Sequence, residues 1–293
     1  MRRQHCKMTL ITAAHAIDAV IRPGRGKGRL EMKEYIFPDG IREVTEGMLP
    51  QELQNTVERI VIPEGVTAIG SRAFIWCETL EEAVLPASLR RIGEAAFQGC
   101  LELREINLPK GLRSIGEYAF SGCDSLVDME IPNGVGEIGE DALAFCEGLR
   151  WVRLPDGLER MGDGVFHDCS HLESVSLPEG VVRLPDWTFS GCLRLRQAEL
   201  PRSLREIGNY AFQGCWALEE IWLPDGLERL GDGAFESCPL RQIGLPESLR
   251  IIGARAFRDC VSLEHVRLPA GLEMGMGAFE ACTVLERSGT SGC

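Results

Sequence analysis

The sequence lacks the patterns on which membrane insertion, metal binding and catalysis usually depend. No apolar run approaches the 18 residues that a membrane-spanning helix needs. His167 and His171 are four residues apart, as in helix-borne metal pairs, but the Glu of the H-E-x-x-H motif is missing between them. No Ser/His/Asp or Cys/His set recurs at fixed positions. These absences predict a protein without a membrane span, cofactor, metal centre or enzymatic activity.

Positive charge is scarce outside the amino-terminal segment. The formal net charge of the 293 residues is −13. Residues 1–30 carry seven Lys or Arg against one Asp, whereas the rest of the chain carries 24 against 43 acidic residues. An acidic surface repels phosphate, so we expect no nucleic-acid partner.

What the chain does contain is a repeat. Cysteine and proline each recur at intervals of 23 residues, with one interval of 22 in the proline series and two in the cysteine series. A fixed period of 20–29 residues with apolar positions at L-x-x-I-x-L is typical of a leucine-rich solenoid. The prolines are at 63, 86, 109, 132, 155, 178, 201, 224, 246 and 269, and the cysteines at 77, 100, 123, 146, 169, 192, 215, 238, 260 and 282.

One repeat illustrates the predicted coil. Alternation places Ile106 and Leu108 inward and Glu105 and Asn107 outward, which indicates a short strand. Pro109 ends the strand because it has no N–H for a ladder. Stacked coils then form a leucine-rich-repeat solenoid, an α/β right-handed superhelix. We expect a parallel β-sheet on its concave face and short turns, 3-10 turns or short helices on its convex face.

The repeated cysteines and phenylalanines predict a core. Twelve cysteines would suggest disulfides in a small secreted domain, but ten of them hold one equivalent position per coil. Thiols strung along an axis do not converge as zinc ligands must, so we expect a buried ladder of free thiols. The Phe that recurs three residues before each Cys, with Leu143 replacing it once, indicates a buried stripe.

The combined motif I-G-x-x-A-F-x-x-C-x-x-L-x-x-I-x-L-P-x-[GS]-[LV] occurs in ten clear copies within residues 32–285. It resembles the BspA-like class of leucine-rich repeats, the bacterial surface-antigen type. That resemblance implies a surface or secreted protein that acts in adhesion and protein binding.

The chain divides into four segments by this pattern. Residues 1–31 are expected to form a disordered basic leader, and they hold a short apolar stretch that faintly resembles a secretory signal. The alternative is a mis-called start, with a native start at Met32, and the location therefore stays open between cell surface or secreted and cytoplasmic. Residues 32–63 are expected to form an atypical capping coil, 64–285 the solenoid of about ten coils, and 286–293 a flexible tail.

The outward positions of the strands vary between coils and are the candidate binding surface. Across eleven coils they carry seven carboxylates and three arginines, and Trp151 and Trp222 occupy positions where alternation predicts solvent. Exposed Trp and Arg are over-represented at interface hot spots, whereas the alternative is a Trp lying flat against its neighbours. The candidate partner-binding residues are Trp151, Arg153, Trp222, Glu220, Glu199, Asp128, Glu130 and Glu105.

Three functional hypotheses follow from that surface. The leading one is a monomeric, non-enzymatic scaffold that binds a protein with a basic surface through the concave sheet face. The second is a carbohydrate-binding or adhesive cell-surface module, and the third is a structural repeat without a specific ligand. One coil departs elsewhere, where Leu184-Pro185-Asp186-Trp187 replaces Ile-Gly-x-x. Either Trp187 is exposed on the outer face or this coil is repacked locally.

Overall fold

The computed structural model describes residues 22–23 and 33–282. Over that part the chain winds into about ten stacked coils joined by parallel strands, which confirms the predicted solenoid. The described residues contain one 3-10 helix, Gln51–Leu53, and no α-helix. Most of the predicted leader and all of the predicted tail lie outside the described residues, and the domain boundaries stay predictions.

The first face of the solenoid is a ladder of short parallel strands, here called the strand face. The strand Arg22–Pro23 adds to its first member in antiparallel orientation. The ladder is interrupted once between 105–106 and 128–130, so that it forms two sheets. Its strands are Lys33–Ile36, Arg59–Val61, Glu82–Val84, Glu105–Ile106, Asp128–Glu130, Trp151–Arg153, Ser174–Ser176 and Gln197–Glu199.

Beyond residue 199 the strand face loses its regular pairing. Residues 220–222 form no strand, and one isolated parallel bridge joins Gln242 to His265. The coil between these segments is the short one, because a single residue, Pro239, separates Cys238 from Leu240 where other coils have two. The alternation itself is unchanged, since Ile243 is buried like Ile221, and the Arg241 N–H donates to the Glu219 carbonyl (3.0 Å) as the Arg196 N–H does to Glu173.

A second parallel ladder, which the sequence analysis did not predict, runs along another side of the coils. Its members are only two residues long, too short for alternation to reveal them. They are Glu43–Val44, Ala68–Ile69, Arg91–Ile92, Ser114–Ile115, Glu137–Ile138 and Arg160–Met161 in one sheet, and Arg183–Leu184, Glu206–Ile207, Arg229–Leu230, Ile251–Ile252 and Glu273–Met274 in the other.

The gap between these two sheets falls at the coil that departs in sequence. After nine of the eleven strands a glycine N–H donates to the preceding coil, as Gly162 does to the Ile138 carbonyl (2.9 Å) and Gly208 to the Leu184 carbonyl (2.9 Å). Pro185 holds the equivalent position and has no N–H to donate. The ladder therefore breaks between Arg160–Met161 and Arg183–Leu184.

The glycine at this site is required by close backbone approach. A Cβ on Gly116 would lie 2.7 Å from the backbone of the preceding coil, and one on Gly162 would lie 2.3 Å from the Glu140 nitrogen. Real Cβ contacts are not that short. Glycine recurs here because the coils pack backbone against backbone.

The third side is the turn face, formed by the six residues that end at each repeated Cys. In every described coil from Cys77 to Cys282 the residues five and one positions before the Cys have positive φ. Left-handed residues four positions apart prevent an α-helix, which needs consecutive negative φ. Alternate N–H groups point instead into the next coil, as from Phe97 to the Ala119 carbonyl (2.8 Å). Of the predicted alternatives for this side, the chain forms turns.

The core lies between these three sides. Phenylalanine rings stack from coil to coil, for example Phe97 on Phe120 with centroids 5.4 Å apart. Each thiol from Cys100 to Cys282 donates to a carbonyl of the preceding coil, as Cys123 does to Phe97 (3.2 Å). All ten cysteines of the described part are free. The repeated Cys thus serves both packing and a hydrogen bond between coils.

Candidate functional site

The strand face separates buried from exposed side chains by simple alternation. Val152 is buried at the centre of its strand, while Trp151 and Arg153 on either side are exposed. Trp151 is 44% exposed and Trp222 is 83% exposed. The other candidate residues, Arg153, Glu220, Glu199, Asp128, Glu130 and Glu105, are exposed as well.

Trp151 stands between two shallow depressions. In the ladder it pairs with Asp128 on one side and Ser174 on the other. The depression of about 450 Å³ on the Ser174 side is bordered by Ser176, Gln197 and Glu199 as well as by Trp151 itself. The one on the other side measures about 610 Å³ and is bordered by Asn107, Asp128, Glu130 and Arg153. Trp151 and Arg153 border both depressions.

Trp222 is placed in the same way three coils further on. It borders a depression of about 670 Å³ shared with Gln197, Glu199 and Glu220. It also borders one of about 660 Å³ shared with Arg241, Gln242, His265 and Arg267. Because residues 220–222 form no strand, this Trp projects from irregular backbone.

Seven of the eight candidate residues therefore border these four neighbouring depressions. Glu105 does not; it pairs with Glu82 on one side, and the interruption of the ladder lies on its other side. Sequence reasoning missed Arg241, which borders the last depression. Strict alternation passes over it because it lies between the buried Leu240 and the outward-facing Gln242, so that two consecutive residues are exposed.

The charges on the strand face differ along its length. At the amino-terminal end Arg59 lies between Glu34 and Glu82, with its Nε 2.7 Å from the Glu82 carboxylate, so this group is internally paired. Beside Trp151 the pair between Arg153 and Glu130 is looser, at 3.7 Å, and both side chains are more than half exposed. The carboxylates around Trp151 are thus accessible to a cationic partner.

The thiols and the histidine pair do not form a chemical site. Burial raises the pKa of Cys77 and of Cys146 to about 12, so both remain protonated, non-nucleophilic thiols near neutral pH. His167 contacts Asp168 (3.3 Å) and His171 hydrogen-bonds Ser170 (3.2 Å). Over residues 33–282 no three His, Cys, Asp or Glu side chains converge as metal ligands. In the same range no helix is long and apolar enough to cross a bilayer.

Comparison with solved structures agrees with this architecture. A leucine-rich repeat protein from Bacteroides ovatus is 30% identical, over 92% of this chain and 81% of that chain, with a TM-score of 0.73. A leucine-rich cell surface protein from Faecalibacterium prausnitzii is 21% identical over 89% and 91% (TM-score 0.54). The pneumococcal vaccine antigen PcpA is 20% identical over 86% and 76% (TM-score 0.55). The last two likenesses show the fold alone.

The family comparison reaches the same result from the sequence. No curated protein matches the chain. A six-copy model described as the BspA type leucine rich repeat region matches residues 51–172 and 159–286, which together cover most of the chain, and indicates no enzyme class. The chain belongs to the BspA-type leucine-rich repeat family.

Proposed function

We propose that this chain is a non-enzymatic scaffold that binds a protein with a basic surface through the strand face between Asp128 and Arg267. The observation that carries the proposal is the exposure of Trp151 and Trp222, each bordered by two depressions with carboxylates on their rims. A solenoid whose family is built for protein interaction provides the rigid support that such a surface needs.

The spacing of the two tryptophans favours a protein over a small ligand. They are three coils apart, about 14 Å at the spacing of parallel strands. The whole surface spans seven coils, or about 29 Å by the same spacing. Hot-spot residues at that separation suit an interface of standard size, about 800 Å² on each partner.

A carbohydrate is the second candidate, because depressions that combine an exposed Trp with carboxylates and serines also suit sugar rings and hydroxyls. The shallow depression beside Trp151, with Ser174, Ser176 and Glu199, is the specific feature that favours it. In this case a single tryptophan would dominate, since each sugar contacts one depression.

The test is the double variant Trp151→Ala/Trp222→Ala compared with the wild type in affinity capture from the source organism. The matched control is Trp76→Ala, which removes a tryptophan that is 52% exposed but lies on the turn face. We expect a defined set of basic proteins to be retained by the wild type and by the control and to be lost by the double variant.

A glycan array read in parallel separates the two candidates. Glycan binding that Trp151→Ala alone abolishes would favour the carbohydrate module. Equal capture of the same proteins by the wild type and the double variant would refute a binding role for this face. Thermal unfolding of all variants should agree closely, because both tryptophans of the double variant lie outside the core.

A further inference from the structure

The turn face carries a row of aromatic rings that the strand-face function does not use. We call the four side chains Phe145, His167, Trp187 and Tyr210 the aromatic stripe. They come from four successive coils, with ring centroids separated by 5.3, 6.1 and 4.3 Å in that order. Phe145 is 45% exposed and Trp187 is 39% exposed. The stripe is therefore a continuous, accessible aromatic surface.

Three of these rings are held in a backbone conformation that does not favour them. Phe145, Trp187 and Tyr210 have φ of 60°, 59° and 55°. The left-handed region is strained for a residue with a side chain, whereas glycine adopts it freely. Glycine occupies the same two coil positions at 99, 122, 164, 191, 214, 233 and 277, and the other thirteen of these twenty positions carry a side chain. The coils thus tolerate the aromatic rings at these positions although the backbone does not favour them.

The row is ordered by the coil geometry. Side chains at these positions lean over the following coil, as the Tyr210 ring does over Gly233, where an added Cβ would meet it at 2.4 Å. Trp187 leans in the same direction onto Tyr210, with the two ring planes 22° apart. Each ring partly covers the next one, and each leaves part of its surface open to solvent.

The surroundings of the stripe are acidic. The turns of these four coils, residues 140–148, 163–171, 186–194 and 209–217, contain six acidic residues and one basic residue. The acidic residues are Glu140, Asp141, Glu147, Asp163, Asp168 and Asp186, and the basic one is Arg194. Asp186 is paired with Arg183 (2.7 Å), and the remaining carboxylates give a negative potential to a cation that approaches the rings.

We propose that the aromatic stripe is a second docking surface, which binds the arginine side chains of a basic protein segment. A guanidinium is planar and weakly hydrated, so it stacks on aromatic faces while its N–H groups donate to neighbouring carboxylates. Successive rings one coil apart would accommodate successive arginines of an extended segment. The surface is separate from the strand face and does not depend on the function proposed for it.

The test uses the full chain and a labelled oligoarginine peptide, with oligolysine of the same length for comparison. The variant Phe145→Gly/Trp187→Gly/Tyr210→Gly removes the rings, keeps every carboxylate, and places at each position the residue that other coils use there. By fluorescence anisotropy near physiological salt, we expect the wild type to bind oligoarginine more tightly than oligolysine. The triple variant should bind oligoarginine about tenfold more weakly or worse, the loss expected for two or three cation–π contacts.

Two further variants complete the experiment, the first as a control and the second as an additional test. Trp76→Gly removes an exposed tryptophan from the same coil position as Phe145 but outside the stripe, and it should bind as the wild type does. Trp187→Arg repels the peptide and keeps the fold, because Arg72 and Arg255 occupy the equivalent position with φ of 58° and 57°. It tests the proposal if the triple variant does not fold.

The proposal is overturned by any of three results. These are no peptide binding by the wild type, equal oligoarginine binding by the wild type and by folded stripe variants, and equal affinity for arginine and lysine peptides. A loss of binding caused by Trp151→Ala/Trp222→Ala instead would assign the peptide to the strand face.

Discussion

Raising the pH should unfold this protein well before arginine titrates, because its core is a column of thiols. Burial raises the pKa of Cys77 and Cys146 to about 12 and raises that of six further buried cysteines. The full set is Cys77, Cys100, Cys123, Cys146, Cys169, Cys192, Cys215 and Cys260. In the unfolded chain a cysteine titrates near 8.5.

The direction in which pH changes the free energy of unfolding depends on whether the folded or the unfolded chain holds the thiol protons. Above pH 8.5 the unfolded chain loses thiol protons that the folded chain keeps, so the free energy of unfolding falls as pH rises. The stabilisation is complete below about pH 8 and is lost between the unfolded value and about 12. At pH 9.5 each buried thiol that stays protonated in the folded chain costs about 1 kcal/mol of stability, because the same thiol ionises in the unfolded chain. Summed over the buried thiols, the loss is comparable to the whole stability of a typical domain, about 5–15 kcal/mol.

Urea unfolding followed by circular dichroism at pH 7, 8.5 and 9.5, with a phosphine reductant present, measures this loss. The sequence has only four Lys and three Tyr, so few other groups titrate in the same range. The matched variant Cys77→Ala/Cys146→Ala removes the two thiols whose pKa is raised to about 12 and should make the loss at pH 9.5 about 2–3 kcal/mol smaller. A stability at pH 9.5 within about 2 kcal/mol of that at pH 7 would refute the reasoning, since it would mean that the folded thiols ionise as readily as unfolded ones.

Two further predictions concern the backbone. Gly162→Ala should destabilise the protein by about 1–3 kcal/mol or more, because its Cβ would lie 2.3 Å from the Glu140 nitrogen. Its control, Gly244→Ala, has nothing within 4 Å and should leave the urea midpoint nearly unchanged; equal midpoints for both variants would contradict the close-approach explanation. Ser237→Gly should raise stability by about 0.5–1 kcal/mol, because Ser237 has φ of 62° and glycine adopts this conformation without strain. A lower melting temperature for Ser237→Gly would show that the side chain contributes more than the backbone costs.

On the strand face, sequence periodicity predicted the exposed side chains but not the depressions between them. Alternation within one coil, Glu105 to Leu108, predicted which side chains face solvent, and the repeat carried that prediction to Trp151 and Trp222. Both predictions depend on a period of two residues, which any strand with one buried face must show. The depressions beside the two tryptophans could not be predicted in the same way. They depend on which side chains of neighbouring coils stand next to each other.

On the turn face, sequence periodicity did not predict the contacts between the aromatic rings. The sequence shows Phe145, Trp187 and Tyr210 at two different repeat positions, and nothing in their spacing predicts that the rings meet. They meet because residues five and one positions before the Cys both have positive φ and lean over the next coil. The break in the second sheet is similar, since Pro185 is visible in the sequence but the hydrogen bond that it cannot make is not.

By itself the sequence determined the solenoid, the family and the buried stripes of Phe and Cys, because a repeated apolar pattern of fixed period can bury itself only by stacking equivalent coils. Only the tertiary structure decided the second sheet, the turns in place of helices and the aromatic stripe. The second sheet and the turns arise from backbone contacts between neighbouring coils, and the aromatic stripe from ring contacts between them. All of these contacts depend on how one coil is placed against the next rather than on the residues of either coil alone.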